Sequence, residues 1–304
     1  MRSRWLAVAT ALTLLTTLAA CGSSDKKSPS AGKGKPAVTL GDKNFTEQYI
    51  LGELYAQALR AKGYTVKIKR NIGSSEITDK ALTSGQIDLY PEYTGVIATE
   101  LAKLGDQPAS AQDTYDKAKA FEEKRGFALL DKTPFYDADG LAVKPAYATK
   151  YKLSDIGDLK NVPGTFKFGG PPENKTRYQG VVGMQKAYGL KNIEFKPLSI
   201  GLQYKALDTG KIDVAAVFTT DAQLAGGKLT VLKDSMGIFG YQNVAPVVNK
   251  KVLAAAGPEF EATLNAVSAK LTNEAMQSMN GAVDLDKKDA AAVAKAFLDA
   301  NGLL

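Results

Sequence analysis

The chain has 304 residues, no histidine and a single cysteine, Cys21. Without histidine, the commonest general base and the commonest metal ligand are both missing. One cysteine excludes an internal disulfide and leaves no usable thiol nucleophile. No Gly-x-Ser-x-Gly elbow, phosphate loop or Gly-x-Gly-x-x-Gly fingerprint occurs. The nearest glycine-rich stretch, Phe168-Gly169-Gly170-Pro171-Pro172, reads as a turn too rich in proline for a nucleotide loop. Most hydrolase, metalloenzyme and nucleotide-binding chemistries are therefore excluded, and no cofactor or metal is expected. An enzyme using Glu92 or Asp139 as its base would betray itself by turnover. No basic cluster suggests a nucleic-acid face.

The only long apolar run lies at the start. Arg2 and Arg4 precede Trp5 to Ala20, and Leu18-Ala19-Ala20-Cys21 follows with small residues before the cysteine. This is the pattern of a secretory signal, too quickly followed by polar sequence to be a good membrane span. Cys21 resembles the lipidated cysteine of a bacterial lipobox, which implies cleavage after residue 20 and a diacyl anchor to the outer face of the cytoplasmic membrane. Residues 21–37 are rich in glycine, serine and lysine and read as a flexible tether. Leader and tether carry most of the formal charge of +7, leaving about +2 on the body. That body, about 270 residues, is ample for two lobes.

Along the body, strand and helix patterns alternate. Val38 to Gly41 reads as a strand, and Asn44 to Lys62 as a helix with Ile50, Leu51, Leu54, Ala58 and Leu59 on one face. Asn44 or Thr46 is the expected cap, and Gly63 the stop. Tyr64, Val66 and Ile68 alternate with polar residues as a half-buried strand. Gly73-Ser74-Ser75 opens a helix, and further strands are expected at 87–89, 127–130, 141–144, 166–168, 193–195 and 213–218. Residues 252–304 read as mostly helical. The alternation predicts an α/β protein with parallel sheets.

A segment recurs. Ala81-Leu82-Thr83-Ser84-Gly85-Gln86-Ile87-Asp88-Leu89 is echoed 125 residues later by Ala206-Leu207-Asp208-Thr209-Gly210-Lys211-Ile212-Asp213-Val214. Each is a helix end, a glycine cap and a strand entry, the corner of two similar lobes. Carried forward, the offset sets Tyr93 opposite Phe218 and Thr94 opposite Thr219. All four lie just past the carboxyl end of a strand, where open α/β sheets bind ligands.

The motifs now assembled resemble a known family. Gly41-Asp42-Lys43-Asn44-Phe45-Thr46-Glu47-Gln48, Gly73-Ser74-Ser75-Glu76-Ile77, Tyr90-Pro91-Glu92-Tyr93-Thr94-Gly95, Phe218-Thr219-Thr220-Asp221 and Tyr241-Gln242-Asn243-Val244 look, in order, like glycine betaine/carnitine/choline-binding proteins of osmoprotectant ABC importers. The resemblance implies a two-lobed periplasmic-binding-protein fold of the second type, with the ligand cleft between lobes. Lobe one would comprise residues 38–137 and 239–304, and lobe two residues 138–238. It implies a permease with its ATPase as partners, and closure around ligand.

It also implies an aromatic cage for a quaternary ammonium, which cannot donate hydrogen bonds and is held by ring faces. Tyr93 or Tyr90, Phe218 and Tyr241 fall on cage positions, with Phe218 where tyrosine is usual. The sequence departs at Asp139, an acid before Gly140-Leu141-Ala142-Val143 where a ring is expected. Facing the cleft, Asp139 would favour a cation over a carboxylate, suiting choline or another cationic amine or amino acid derivative. Facing solvent, it would do neither. Lys43, Asn44, Thr46, Gln48, Ser74, Thr94, Thr219 and Asn243 complete the candidate ligand contacts. Asn44 and Ser74 serve equally well as helix caps, and Arg177 could pair with a ligand carboxylate.

Overall fold

A computed structural model describes residues 34–104, 107–224 and 227–304. The expected leader, Cys21 and most of the tether lie outside them. Strand β1 (Ala37–Gly41) buries Val38 and Leu40, and the helix Thr46–Ala61 follows it. All five apolar residues picked out by helical spacing on that helix are fully buried. They pack against Phe260 and Leu264 of the helix Pro258–Ser268 and Leu298 of the helix Ala290–Ala300. The four larger side chains, Ile50, Leu51, Leu54 and Leu59, each contribute about 1.5–3 kcal/mol on burial. The helix starts at Thr46, one residue later than a cap at Asn44 would set it and one residue earlier than a cap at Thr46 would. Phe45 stands at the cap position with no side-chain cap bond, so Asn44 is left to the cleft and Thr46 to a neighbouring recess.

Two five-stranded sheets share one plan. The first runs β2 (Thr65–Lys69), β1, β3 (Leu89–Tyr93), β10 (Val244–Asn249), β4 (Phe127–Leu129). The second runs β7 (Ile193–Pro197), β6 (Phe166–Gly170), β8 (Val214–Phe218), β5 (Asp139–Val143), β9 (Thr230–Leu232). The expectation of purely parallel sheets is corrected here. β10 lies antiparallel to β3 and β4, and β5 antiparallel to β8 and β9. These are the strands by which the chain enters each sheet from the other, so their direction is set by the crossing and not by a helical return. Residues 130–138 and 233–243 make the two crossings, and Tyr136 bridges Asn243 between them.

The sequence repeat marks equivalent corners of these sheets. Gly85 and Gly210 both adopt positive φ at the end of their helices, 72° and 70°. Asp88 and Asp213 then each bind the neighbouring strand. Asp88 Oδ2 accepts from Thr39 N at 2.7 Å, and Asp213 Oδ2 accepts from Lys167 N at 2.8 Å. Each aspartate also donates its own N–H to the same neighbour's carbonyl. The repeated aspartates thus pin β3 to β1 and β8 to β6. Asp88→Ala or Asp213→Ala leaves a strand N–H without its acceptor. Each is expected to cost about 1–2 kcal/mol in urea unfolding with ligand affinity unchanged.

Candidate ligand cleft

The carboxyl edges of the two sheets face a recess of about 530 Å³. The turn after β1 supplies Lys43, Asn44 and Phe45 to it, the start of the helix Ser75–Thr83 supplies Ser74 and Ser75, and the end of β3 supplies Tyr93. From the other side come Pro171, Glu173, Asn174 and Arg177 after β6, Ile200 after β7, and Phe218 at the end of β8. Corresponding corners of the two sheets therefore meet across one space, as the shared strand order dictates. Asp137 of the first crossing, Asp139 at the start of β5 and Gln242 of the second crossing complete it.

Its floor is a buried ion pair. Lys43 is 2 % exposed and its ammonium is bonded to the Glu92 carboxylate and, at 3.0 Å, to Ser75 Oγ. Burial pushes the Lys43 pKa down, against the pull of Glu92. The same ammonium lies 4.2 Å from the centroid of the Tyr93 ring. Tyr93 stacks on Phe45 with centroids 6.3 Å apart and planes 19° apart. The Tyr93 hydroxyl donates to Glu47 Oε1 at 2.8 Å, which fixes the ring from behind.

At the mouth, Arg177 donates Nε and Nη2 to the two oxygens of Glu76 at 3.0 and 2.9 Å. Burial opposes ionisation of Glu76, yet the guanidinium outweighs it and holds the carboxyl down at about 2. Gln179 donates to Thr99 Oγ1 at 2.6 Å beside this pair. Two successive polar ties thus join the segment after β6 to the first sheet's side of the cleft.

Asp139 is different. It pairs in register with Phe218 across β5 and β8, so carboxylate and ring sit at one end of the cleft. Among the described residues it forms no ion pair. Burial pushes its carboxyl up to about 6, with Arg177 and the Asn174 amide only partly offsetting this.

Of the candidate contacts named from sequence, Lys43, Asn44, Ser74, Tyr93, Asp139 and Phe218 line this recess. Thr46 opens onto the adjoining one and donates to Asp284 Oδ1 at 2.6 Å. The others lie outside both linings, for reasons the local structure supplies. Tyr90 is three positions from Tyr93 on one strand, hence on the opposite face, and is fully buried against Ile97, Ala118 and Phe127. Gln48 is buried behind Tyr93, with its amide 3.4 Å from the hydroxyl. Thr94 and Tyr241 meet each other, the Thr94 hydroxyl donating to the Tyr241 carbonyl, while the Tyr241 ring is 42 % exposed. Thr219 and Asn243 hold the crossings. Thr219 donates to Tyr136 O and accepts from Ala138 N, and the Asn243 amide donates to Thr133 O and Phe135 O. Sequence reasoning passed over Phe45, Glu173 and Asn174. Phe45 lay inside a quoted motif. The other two sit on the corner after β6, whose sequence bears no likeness to its counterpart after β1.

Two sheets of matching plan, joined by two crossings and enclosing a polar cleft with aromatic walls, define a two-lobed solute-binding receptor. The chain belongs to the family described as the substrate binding domain of ABC-type glycine betaine transport systems, matched over residues 36–300. It is 33% identical over 278 residues to the glycine-betaine-binding protein of Pseudomonas aeruginosa, covering 88% of each chain. It is 31% identical over 271 residues to an ergothioneine transport permease/ergothioneine-binding protein of Helicobacter pylori, covering 88% of this chain and 48% of that one. A solved glycine betaine/carnitine/choline ABC transporter structure superposes with a TM-score of 0.70 at 26% identity, covering 88% of this chain and 99% of that one. The family's members bind a solute and do not transform it.

The geometry separates the two tyrosines that sequence put in one cage. Tyr93→Ala is expected to weaken binding of a quaternary-ammonium solute by about tenfold or more, through loss of the ring face. Tyr241→Ala is expected to change it by less than about twofold. Calorimetric titration of both variants checks this, and an equal loss in both would return Tyr241 to the site.

Proposed function

We propose that this protein is an extracytoplasmic receptor, anchored to the membrane through a lipid on Cys21, that delivers a quaternary-ammonium solute to an ABC permease and its ATPase. The single observation behind the choice of ligand is the Asp139 carboxylate, half-buried beside Phe218 and, among the described residues, ion-paired with no cation. The charges of Lys43 and Arg177 are matched by Glu92 and Glu76. The uncompensated charge in the cleft is therefore negative. A trimethylammonium group suits it. Such a group loses no hydrogen bond on leaving water, and the Tyr93, Phe45 and Phe218 rings offer dispersion and a negative quadrupole worth about 0.5–2 kcal/mol per contact. Glycine betaine and ergothioneine, for which the relatives are named, both carry this group.

The same charge balance sets a preference. A ligand carboxylate brings negative charge to a cleft whose cations are already paired, so choline is expected to bind more tightly than glycine betaine. The test is calorimetric titration of the purified protein with choline, glycine betaine, carnitine and proline betaine. Micromolar affinity for choline, with glycine betaine weaker, is the expected result. Silence with all four would overturn the reading.

The titration of Asp139 gives a second check. Its ionised form attracts the cation, and with a carboxyl near 6 that form is lost as pH falls through this value. Choline affinity is expected to be flat above about pH 7, to fall by about tenfold in all as pH drops through 6, and then to level off. In Asp139→Asn, affinity at pH 7.5 falls by about tenfold and the pH dependence flattens. A pH profile unchanged by this substitution would remove Asp139 from the site.

A further inference from the structure

The cleft does not end at Phe45 and Phe218. A second recess of about 730 Å³ continues beyond it and shares Asn44, Phe45, Asp137, Ile200 and Phe218 with the first. Three of these five are apolar, so the shared waist suits a hydrocarbon segment. Past the waist the wall changes character. It carries the carboxylates of Glu47, Asp221 and Asp284, and no lysine or arginine lines it. Among the described residues no cation pairs with any of the three.

Neutral donors satisfy part of this acceptor surface. The Thr220 hydroxyl donates to Glu47 Oε2 at 2.6 Å, and the Tyr204 hydroxyl donates to Asp221. Asn280 is an independent sign that a donor is wanted. It lines the recess, is 4 % exposed, and spends its Nδ2 on Glu47 Oε2 at 3.0 Å and Thr220 O at 3.1 Å. Those two acceptors fix the orientation of the amide. Its Oδ1 is left buried with no donor. Burial also pushes the carboxyls of Glu47 and Asp221 upward, that of Asp221 to about 7, so the wall retains protons where a bound cation would neutralise it.

We propose that the solute for which this cleft is shaped carries, beyond its quaternary ammonium, an alkyl spacer and a second cationic group with N–H donors, held past the waist by Asp221, Asp284 and Asn280. This deepens the quaternary-ammonium reading and rests on it. The spacer crosses between Phe45, Ile200 and Phe218, and a primary ammonium or guanidinium supplies the donors that the far wall lacks. Choline, too short to cross, would fill only the first recess.

The test uses two matched series titrated into the purified protein: alkyltrimethylammonium ions with chains of two to six carbons, and the same ions bearing a terminal primary amine. At one or more lengths the amine is expected to bind about tenfold more tightly than its alkyl counterpart. Asp284→Asn, at a half-buried position, and Asp221→Asn are each expected to bring that ratio to about threefold or less. Taking the ratio within each variant cancels any disturbance of the first recess. A ratio near one at every length, with the alkyl ions still binding, overturns the second group and leaves the quaternary-ammonium receptor standing. A ratio unchanged in both variants overturns the assigned wall. Failure of both series to bind overturns the receptor reading and this inference together.

Discussion

A buried ammonium needs a counter-charge, and meeting that need organises the floor of this cleft. Lys43 comes from the turn after β1, Glu92 from β3 and Ser75 from the head of a helix, and the Lys43 ammonium gathers them under the Tyr93 ring. Glu92 Oε1 also accepts from the Tyr93 backbone N–H at 2.9 Å, so the anion that neutralises the lysine also positions the residue carrying the ring. Removing either charged partner would strand the other in a low-dielectric interior, at a cost of about 3–5 kcal/mol. The pair is thus weak evidence for stability and strong evidence for geometry: three chain segments have one arrangement in which no charge is left alone.

That arrangement decides what remains for a ligand. With Lys43 and Arg177 both matched, the cations of the cleft have little attraction left for a carboxylate. Asp139 has no such match, and an aromatic ring lies beside it. The contrast follows from the pseudo-symmetry of the two sheets. Val244 pairs with Tyr93 across β10 and β3, as Asp139 pairs with Phe218 across β5 and β8. At one register position, then, one lobe presents a valine and the other a carboxylate. A symmetric scaffold thus carries an asymmetric charge.

Much of this was legible in the sequence. The repeat ending at Leu89 and Val214 located both sheet edges, and with them Tyr93 and Phe218, because a helix stop, a glycine with positive φ and an aspartate that pins a neighbouring strand leave a local signature. The antiparallel strands were not legible. The direction of β5 and β10 depends on where the chain crosses between lobes, and no local periodicity encodes it. Motif membership also overreached. Thr94, Thr219 and Asn243 belong to the motifs that carried the resemblance, yet their hydrogen bonds serve the crossings. Two extended segments that leave their sheets need side-chain partners for their backbone groups.

The two errors over tyrosine have separate causes, and they bear on how a cage can be read from a motif. Tyr90 failed on a rule already present in the sequence: an odd spacing along a strand puts two side chains on opposite faces, so Tyr90 and Tyr93 could never share one wall. Tyr241 failed on tertiary grounds. Gly95 brings the second crossing so close that a Cβ there would lie 2.5 Å from the Tyr241 carbonyl oxygen. The backbone of Tyr241 is therefore pressed against the end of β3 while its ring is left half exposed, the hydroxyl 3.4 Å from Ala109 O. The ring pair at the floor of the cleft is instead Tyr93 with Phe45, a residue one position before a helix whose aromatic character the helical pattern gave no reason to notice. What makes Phe45 part of the wall is the failure of that helix to begin earlier: had Asn44 capped it, Phe45 would have entered the first turn. The late start leaves Asn44 and Phe45 on the turn, where both recesses use them.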